Sequence, residues 1–184
     1  MIVNFKKNLI RGSYFPPGDK SISHRIIILG SQAVGRSIVS NLLEGEDVVN
    51  TIKAMRDLGA NIKKKDGKFI IFGLPPGTLF QPKKKLEFGN SGTGIRLIAG
   101  LVSSNNINTT LIGDRSLSKR PMRRVTEHLS KIGSNIKLKR NLYPPIEIKG
   151  IGNAVPLSFN INIPSAQIKS SIILSSLNTN GLVK

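Results

Sequence analysis

Residues 52–73 read IKAMRDLGANIKKKDGKFIIFG, and residues 125–150 read VTEHLSKIGSNIKLKRNLYPPIEIKG. Both open with apolar positions at helical spacing: Val48, Ile52, Met55 and Leu58 in one, Met122, Val125, Leu129 and Ile132 in the other. Each helical pattern stops at a Leu-Gly or Ile-Gly pair, so that Gly59 and Gly133 are placed for a left-handed C-terminal cap. A short strand is expected next, over residues 62–65 and 136–139, followed by a turn and a second strand. Asp66-Gly67 makes a tight hairpin turn in the first copy, whereas residues 140–145 make a longer loop in the second.

The similarity extends outward. HRIIILGSQAVGRSIVSNLLEG, IRLIAGLVSSNNINTTLIGD and IKSSIILSSLNTNGLVK each predict a helix, a small polar turn and a strand. Aligning Arg25, Arg96 and Lys169 sets the copies 71 and 73 residues apart. The unit is helix–strand–helix–strand–strand, and it occurs three times, over about 13–74, 84–150 and 155–184. The third copy stops at Lys184 inside its first strand. The fold class is α/β (α+β), with the expectation that the chain is part of a longer protein and that apolar faces of its units lack partners. The strand-like start, residues 1–12, is expected to belong to a different domain from residues 13–184.

Each unit opens its first helix with small polar residues: DKSISHR, GNSGTGIR and PSAQIKS. Pro17-Gly18 punctuates the chain before the first, Asp19 or Ser21 can cap it, and the run from Ile26 to Leu29 reads as a buried helix segment. Taken singly, such residues are ordinary helix caps. Three of them at matched positions, each near a cation (Lys20 and Arg25, Arg96, Lys169), predict convergent helix starts forming one polyanion site. A fourth stretch, GDRSLSKRPMRR, sets Arg120 before Pro121, and Pro121 is placed as the first residue of a helix.

Other chemistries find little support. His24 and His128 have no metal-site spacing, and His128 is expected on a helix face. No Walker A, nucleophile-elbow or dinucleotide fingerprint occurs. Glu44, Glu46 and Asp47 precede a helix whose dipole they complement, and no carboxylate pair is evidently set for acid–base work. The chain has no cysteine, which removes disulfides, thiolate metal sites and a cysteine nucleophile. No apolar run approaches the roughly 20 residues of a membrane span, and MIVNFKKNLIRG lacks the apolar core of a secretory signal, so a cytoplasmic location is expected.

Charge leaves two classes open. The 28 basic and 10 acidic residues give +18, which suits either nucleic acid or a small, highly anionic substrate. Only 5% of residues are aromatic and no basic–aromatic alternation appears, which weighs against nucleic acid. The runs 63–65 and 83–85, three lysines each, read as solvated strand ends and loops.

Five motifs together, PGDKSISHR, LLEGEDVVNTIKAMRDLGA, FGNSGTGIRL, IGDRSLSKRPM and SAQIKSSIILSSLNT, closely resemble the 5-enolpyruvylshikimate-3-phosphate synthase family, in family order and along nearly the whole chain. The Ser-Ala-Gln variant of the last motif is similar to one bacterial class. The resemblance implies a two-domain enolpyruvyl transferase, each domain built of three βαβαββ units, with this chain supplying most of one domain. It implies shikimate 3-phosphate and phosphoenolpyruvate as substrates in the interdomain cleft, no metal or organic cofactor, and a second domain as partner. The shikimate hydroxyl adds to the enolpyruvyl carbon, C3 is protonated, and phosphate leaves the tetrahedral intermediate.

By the same resemblance Lys20 contacts both substrates and is the candidate catalytic residue. Ser21, Arg25, Thr93, Ser165, Ala166 and Gln167 line the shikimate 3-phosphate site. Asn90, Gly92, Arg120 and Gln167 line the phosphoenolpyruvate site, which glyphosate occupies in this family. The acid–base carboxylates are implied to lie beyond Lys184, so that this chain alone does not turn over. Ala166 stands where some relatives carry a second serine, removing one hydroxyl donor. The cell-wall enolpyruvyl transferase that acts on a UDP-sugar is a related reading, but Lys20-Ser21 replaces its Lys-Asn pair and its reactive cysteine has no counterpart. A basic, non-catalytic nucleic-acid-binding protein and an inert truncated product are the other readings.

Overall fold

The computed structural model describes residues 11–162 and 164–184. Among these, the elements run α1 (Lys20–Gly30), β1 (Gly35–Val39), α2 (Glu46–Asp57), β2 (Asn61–Lys65), β3 (Lys68–Gly73), β4 (Leu86–Glu87), α3 (Gly92–Ser103), β5 (Asn108–Ile112), α4 (Arg123–Lys131), β6 (Asn135–Lys139), β7 (Tyr143–Lys149) and α5 (Ala166–Ser176). The expected strand segment at residues 1–12 lies almost wholly outside the described residues, and residues 13–19 carry no strand.

β1, β3 and β2 form one antiparallel sheet in that order, with Gly35 opposite Gly73 and Ile62 opposite Ile71. The second sheet has the order β4-β5-β7-β6; β4 runs parallel to β5, and the other pairings are antiparallel. Asp66 and Gly67 close the β2–β3 hairpin with φ of +50° and +72°, the left-handed pair that a two-residue turn demands. In the second hairpin the strand begins earlier than the sequence pattern indicates, at Tyr143 rather than after Pro145. The register shifts after Leu138, so Leu138 faces Ile146 while Lys139 faces Tyr143. Pro144 and Pro145 occupy that irregularity beyond the end of β5, where their missing N–H groups break no ladder.

α3 is the central element. Its sequence, GTGIRLIAGLVS, is apolar around the whole circumference, and every residue except Thr93 is buried. It contacts all four other helices as well as β5 and β7. Its approach to α5 is tight enough that a Cβ on Gly100 would lie 2.2 Å from the Ser171 carbonyl oxygen. α2 packs against both α1 and α3, and α4 against both α3 and α5. Gly59 and Gly133 follow α2 and α4 with φ of +103° and +105°, as their Leu-Gly and Ile-Gly signals require.

Three expectations are corrected. The run Ile26 to Leu29 is only half buried: Ile27 and Ile28 are inaccessible, whereas Ile26 and Leu29 are 39% and 47% exposed. Pro121 is not the first residue of a helix, because α4 starts at Arg123 and buried Met122 is its N-cap. Residues 177–184 form no strand after α5. They touch the segment before α5 through one bridge, Ala154 to Thr179, and through backbone bonds from Phe159 N to Lys184 O and from Lys184 N to Leu157 O.

Candidate active site

The starts of α1, α3 and α5 are each closed by a side-chain cap. Asp19 Oδ1 accepts from Ile22 N at 2.7 Å, Ser91 Oγ from Gly94 N at 3.1 Å, and Ser165 Oγ from Ile168 N at 3.4 Å. Each cap engages one of the free N–H groups of its first turn and leaves the positive end of the helix dipole in place.

Side chains then tie the three starts together. Gln167 joins α5 to α3: its amide oxygen accepts from Arg96 Nη1 at 3.0 Å, and its amide nitrogen donates to Thr93 Oγ1 at 3.1 Å. Arg25 joins α1 to α5, donating to Ser170 Oγ at 2.7 Å and back to the Ser21 carbonyl at 3.0 Å. Lys20 pairs with Asp47 in the first turn of α2. Arg120 donates to Asn90 Oδ1 and reaches Ser116 Oγ at 3.5 Å. A methyl added to Gly92 would lie 3.0 Å from Arg96 Nη1 and 3.1 Å from Arg120 Nη1, which places these two guanidinium groups against the same bare backbone.

All ten candidate residues therefore sit at or beside the joined helix starts. Lys20, Ser21 and Ala166 are exposed; Arg25, Thr93, Arg120, Ser165 and Gln167 are half-buried; Gly92 is buried; and Asn90 is exposed on the loop before α3. Arg96 departs from the expected pattern. Its guanidinium is spent on the Gly92 carbonyl at 3.0 Å, Gln167, and the Pro121 carbonyl at 3.1 Å. Burial, with Arg124 and Arg120 adding like-charge repulsion, lowers its pKa, yet a guanidinium keeps its charge at neutral pH. Arg96 is a charged strut within the site wall, not a free anion ligand.

Sequence reasoning passed over two contributors. Asp47, which reads as a dipole-complementing residue, is also the partner of Lys20. Beneath that pair lies fully buried His24, whose Nδ1 is 2.8 Å from Thr51 Oγ1. Thr51 Oγ1 donates to the Asp47 carbonyl at 3.3 Å, so His24 Nδ1 carries the proton and donates to Thr51. The four-residue step from Lys20 and Ser21 to the His24–Arg25 pair gives no signal of this, since helical spacing alone does not separate a buried strut from a ligand.

Comparison with known proteins decides the lineage. The family described as EPSP synthase (3-phosphoshikimate 1-carboxyvinyltransferase) matches residues 6–184. The chain belongs to the EPSP synthase family. Its similarity to the 3-phosphoshikimate 1-carboxyvinyltransferase of Novosphingobium aromaticivorans is 47% identity over 174 residues, covering 94% of this chain and 40% of the relative. The Zymomonas mobilis protein of that name is 45% identical over 184 residues, covering 100% of this chain and 41% of the relative. The solved EPSP synthase of Acinetobacter baumannii superposes with a TM-score of 0.87 at 39% identity, over 92% of this chain and 39% of that one. The chain thus spans about 40% of the length of the EPSP synthases it matches.

Proposed function

We propose that this chain forms one wall of an EPSP synthase active site, which binds shikimate 3-phosphate and phosphoenolpyruvate and takes part in enolpyruvyl transfer. The observation that supports it best is the cross-linking of three helix starts by Arg25–Ser170 and by Gln167 with Thr93 and Arg96. Positive helix ends and unneutralised guanidinium groups in one place favour a ligand carrying several negative charges.

Shikimate 3-phosphate lies across the starts of α1 and α5. Its phosphate takes the free N–H groups beyond Ser165 and Ala166 and the Ser165 hydroxyl, and Ser21 and Arg25 hold the ring side. Phosphoenolpyruvate lies against Gly92, where the absence of a side chain lets its charge approach the Arg120 guanidinium and the Asn90 amide. Thr93 and Gln167 stand between the two. Lys20, exposed and held by a single carboxylate, is free to exchange Asp47 for the substrates as their charge arrives.

The shikimate hydroxyl adds to the enolpyruvyl carbon while C3 gains a proton. The tetrahedral intermediate then loses that proton and phosphate, restoring the double bond. Lys20 and Arg120 stabilise the charge that gathers on the departing phosphate. Two carboxylates at the joined helix starts are already engaged, Asp19 as the cap of α1 and Asp47 with Lys20, so we assign the acid–base groups to the part of the relatives' length that lies outside the match. No helix among the described residues is long and apolar enough to cross a membrane.

The test is thermal unfolding with shikimate 3-phosphate, with unphosphorylated shikimate as control. At about 100 times its dissociation constant the ligand adds roughly 2.7 kcal/mol, which raises Tm by about 5–10 °C for a domain of this size. A shift with the phosphate ester alone is expected; no shift in a cooperatively melting sample removes the proposal.

A further inference from the structure

The second lysine run does more than decorate a loop. Lys83, Lys84 and Lys85 lie along the edge of the second sheet, where with Lys137 and Lys149 they line a cavity of about 540 Å³ on the solvent face of β5, β7 and β6. Glu147 is the one carboxylate in that lining, and Lys84 is partly spent on Asp57, 3.5 Å away. The lysine segment is pinned at both ends. Gln81 exchanges two hydrogen bonds with the Asn108 backbone, accepting at 2.8 Å and donating at 2.5 Å, and Leu86 pairs with Leu111. The backbone that carries the three lysines is therefore fixed beside the sheet, so binding need not first order a loop, while the ammonium groups stay mobile.

This cavity is separate from the joined helix starts. β4 and β5 run parallel, and Asn90, Gly92 and Arg120 follow their C-terminal ends. Lys83 and Asn108 lie at or before their N-terminal ends. Its chemistry also differs: it holds ammonium groups and no guanidinium, with Asn108, Thr110 and Asn135 as neutral donors and acceptors and no aromatic ring. Lysines bind as mobile point charges, so such a lining suits a flexible chain of charges better than one rigid carboxylate or a stacked base.

We propose that this groove is a second anion site that takes the phosphate chain of a polyphosphate ligand, whether inorganic or carried on a nucleoside. The test is calorimetric titration of the chain with tripolyphosphate and with ATP in 150 mM KCl. Three variants accompany it: Lys83→Gln/Lys84→Gln/Lys85→Gln, a charge-matched Lys63→Gln/Lys64→Gln/Lys65→Gln control on β2, and Arg120→Gln. The groove triple is expected to weaken binding about tenfold or more and to flatten its salt dependence, with the other two variants within about twofold of the parent. Equal affinity for the two ligands assigns recognition to the phosphate chain alone, and tighter ATP adds a nucleoside contact; both support the site. Equal loss in both lysine triples would reduce the effect to the overall +18 field, loss only in Arg120→Gln would move it to the helix starts, and no heat at this salt would overturn it outright.

Discussion

Gly92 and Arg96 decide the shape of the proposed anion site one residue at a time. A methyl on Gly92 meets two guanidinium groups near 3 Å, which must shift by a few tenths of an ångström. In an enzyme with both domains present, Gly92→Ala is expected to raise the glyphosate concentration for half-inhibition about tenfold or more, the scale of one methyl in a tight pocket; the KM for phosphoenolpyruvate should rise less. Inhibition curves for the two forms check this, and superimposable curves would refute it. Arg96→Met leaves the Gly92 and Pro121 carbonyls and Gln167 without their donor, at a cost of about 2–4 kcal/mol, which lowers Tm by roughly 5–15 °C. A melting curve within 2 °C of the parent would sink that account. The sequence places Arg25, Arg96 and Lys169 at equivalent points of three copies and so assigns them one role. The structure separates them, because α3 is enclosed on all sides while α1 and α5 each keep a free face. Spacing suggests which residues correspond along the chain, but burial, which fixes what a cation can do, depends on how the helices surround one another.

Between elements, α2 holds the start of α1 against the start of α3. Lys20 pairs with Asp47, His24 donates to Thr51, and Thr51 Oγ1 lies 2.8 Å from where a Cβ on Gly94 would be. Burial pushes the pKa of His24 down to about 4; Asp47 pulls the other way, and Lys20 and Arg25 add to the depression. Its native state is neutral, whereas the unfolded chain takes up a proton near pH 6.5. Stability is thus undiminished above pH 6.5, falls as pH drops through the window down to about 4, and levels off below it. The loss is on the order of 3 kcal/mol. Denaturant midpoints across this window should slope downward with acid in the parent and much less in His24→Asn, whose amide can still donate to Thr51. Equal slopes would assign the acid sensitivity to other groups. At this scale most helices and both hairpins are legible from periodicity, because amphipathic faces and Gly-terminated helices state their own limits. The misplaced boundaries are those set by partners remote in sequence. Pro121 reads as a helix start, but Met122 N donates to the Leu142 carbonyl and the helix opens later. Pro144 and Pro145 read as loop, but β5 ends short of them.

Across the whole molecule, the helices leave one position open. Among the described residues, α2 lies against α1 and α3, and α4 against α3 and α5, yet no helix other than α3 lies against both α5 and α1, although Arg25 and Ser170 bring those two together. The faces flanking that contact are apolar. Ile22, Ile26 and Leu29 on α1 are 61%, 39% and 47% exposed, and Ile173 and Leu177 at α5 are 53% and 37% exposed. The pattern of the two filled positions calls for an amphipathic helix here, and the relatives of this chain carry about 60% of their length outside the match. Fully burying an aliphatic side chain contributes roughly 1.5–3 kcal/mol, so covering five half-exposed ones contributes roughly 4–7 kcal/mol toward docking a helix that is already formed. Mixing this chain with a polypeptide that supplies the remainder of an EPSP synthase is therefore expected to produce phosphate release from shikimate 3-phosphate and phosphoenolpyruvate, with neither part active alone. Ile26→Asp/Ile173→Asp should cut the restored rate at least tenfold while the isolated chain still melts cooperatively, because both side chains are only partly buried there. Full restoration by the double variant would mean that the two parts meet only across the substrate cleft, and that the open position on α1 and α5 is not where the protein is completed.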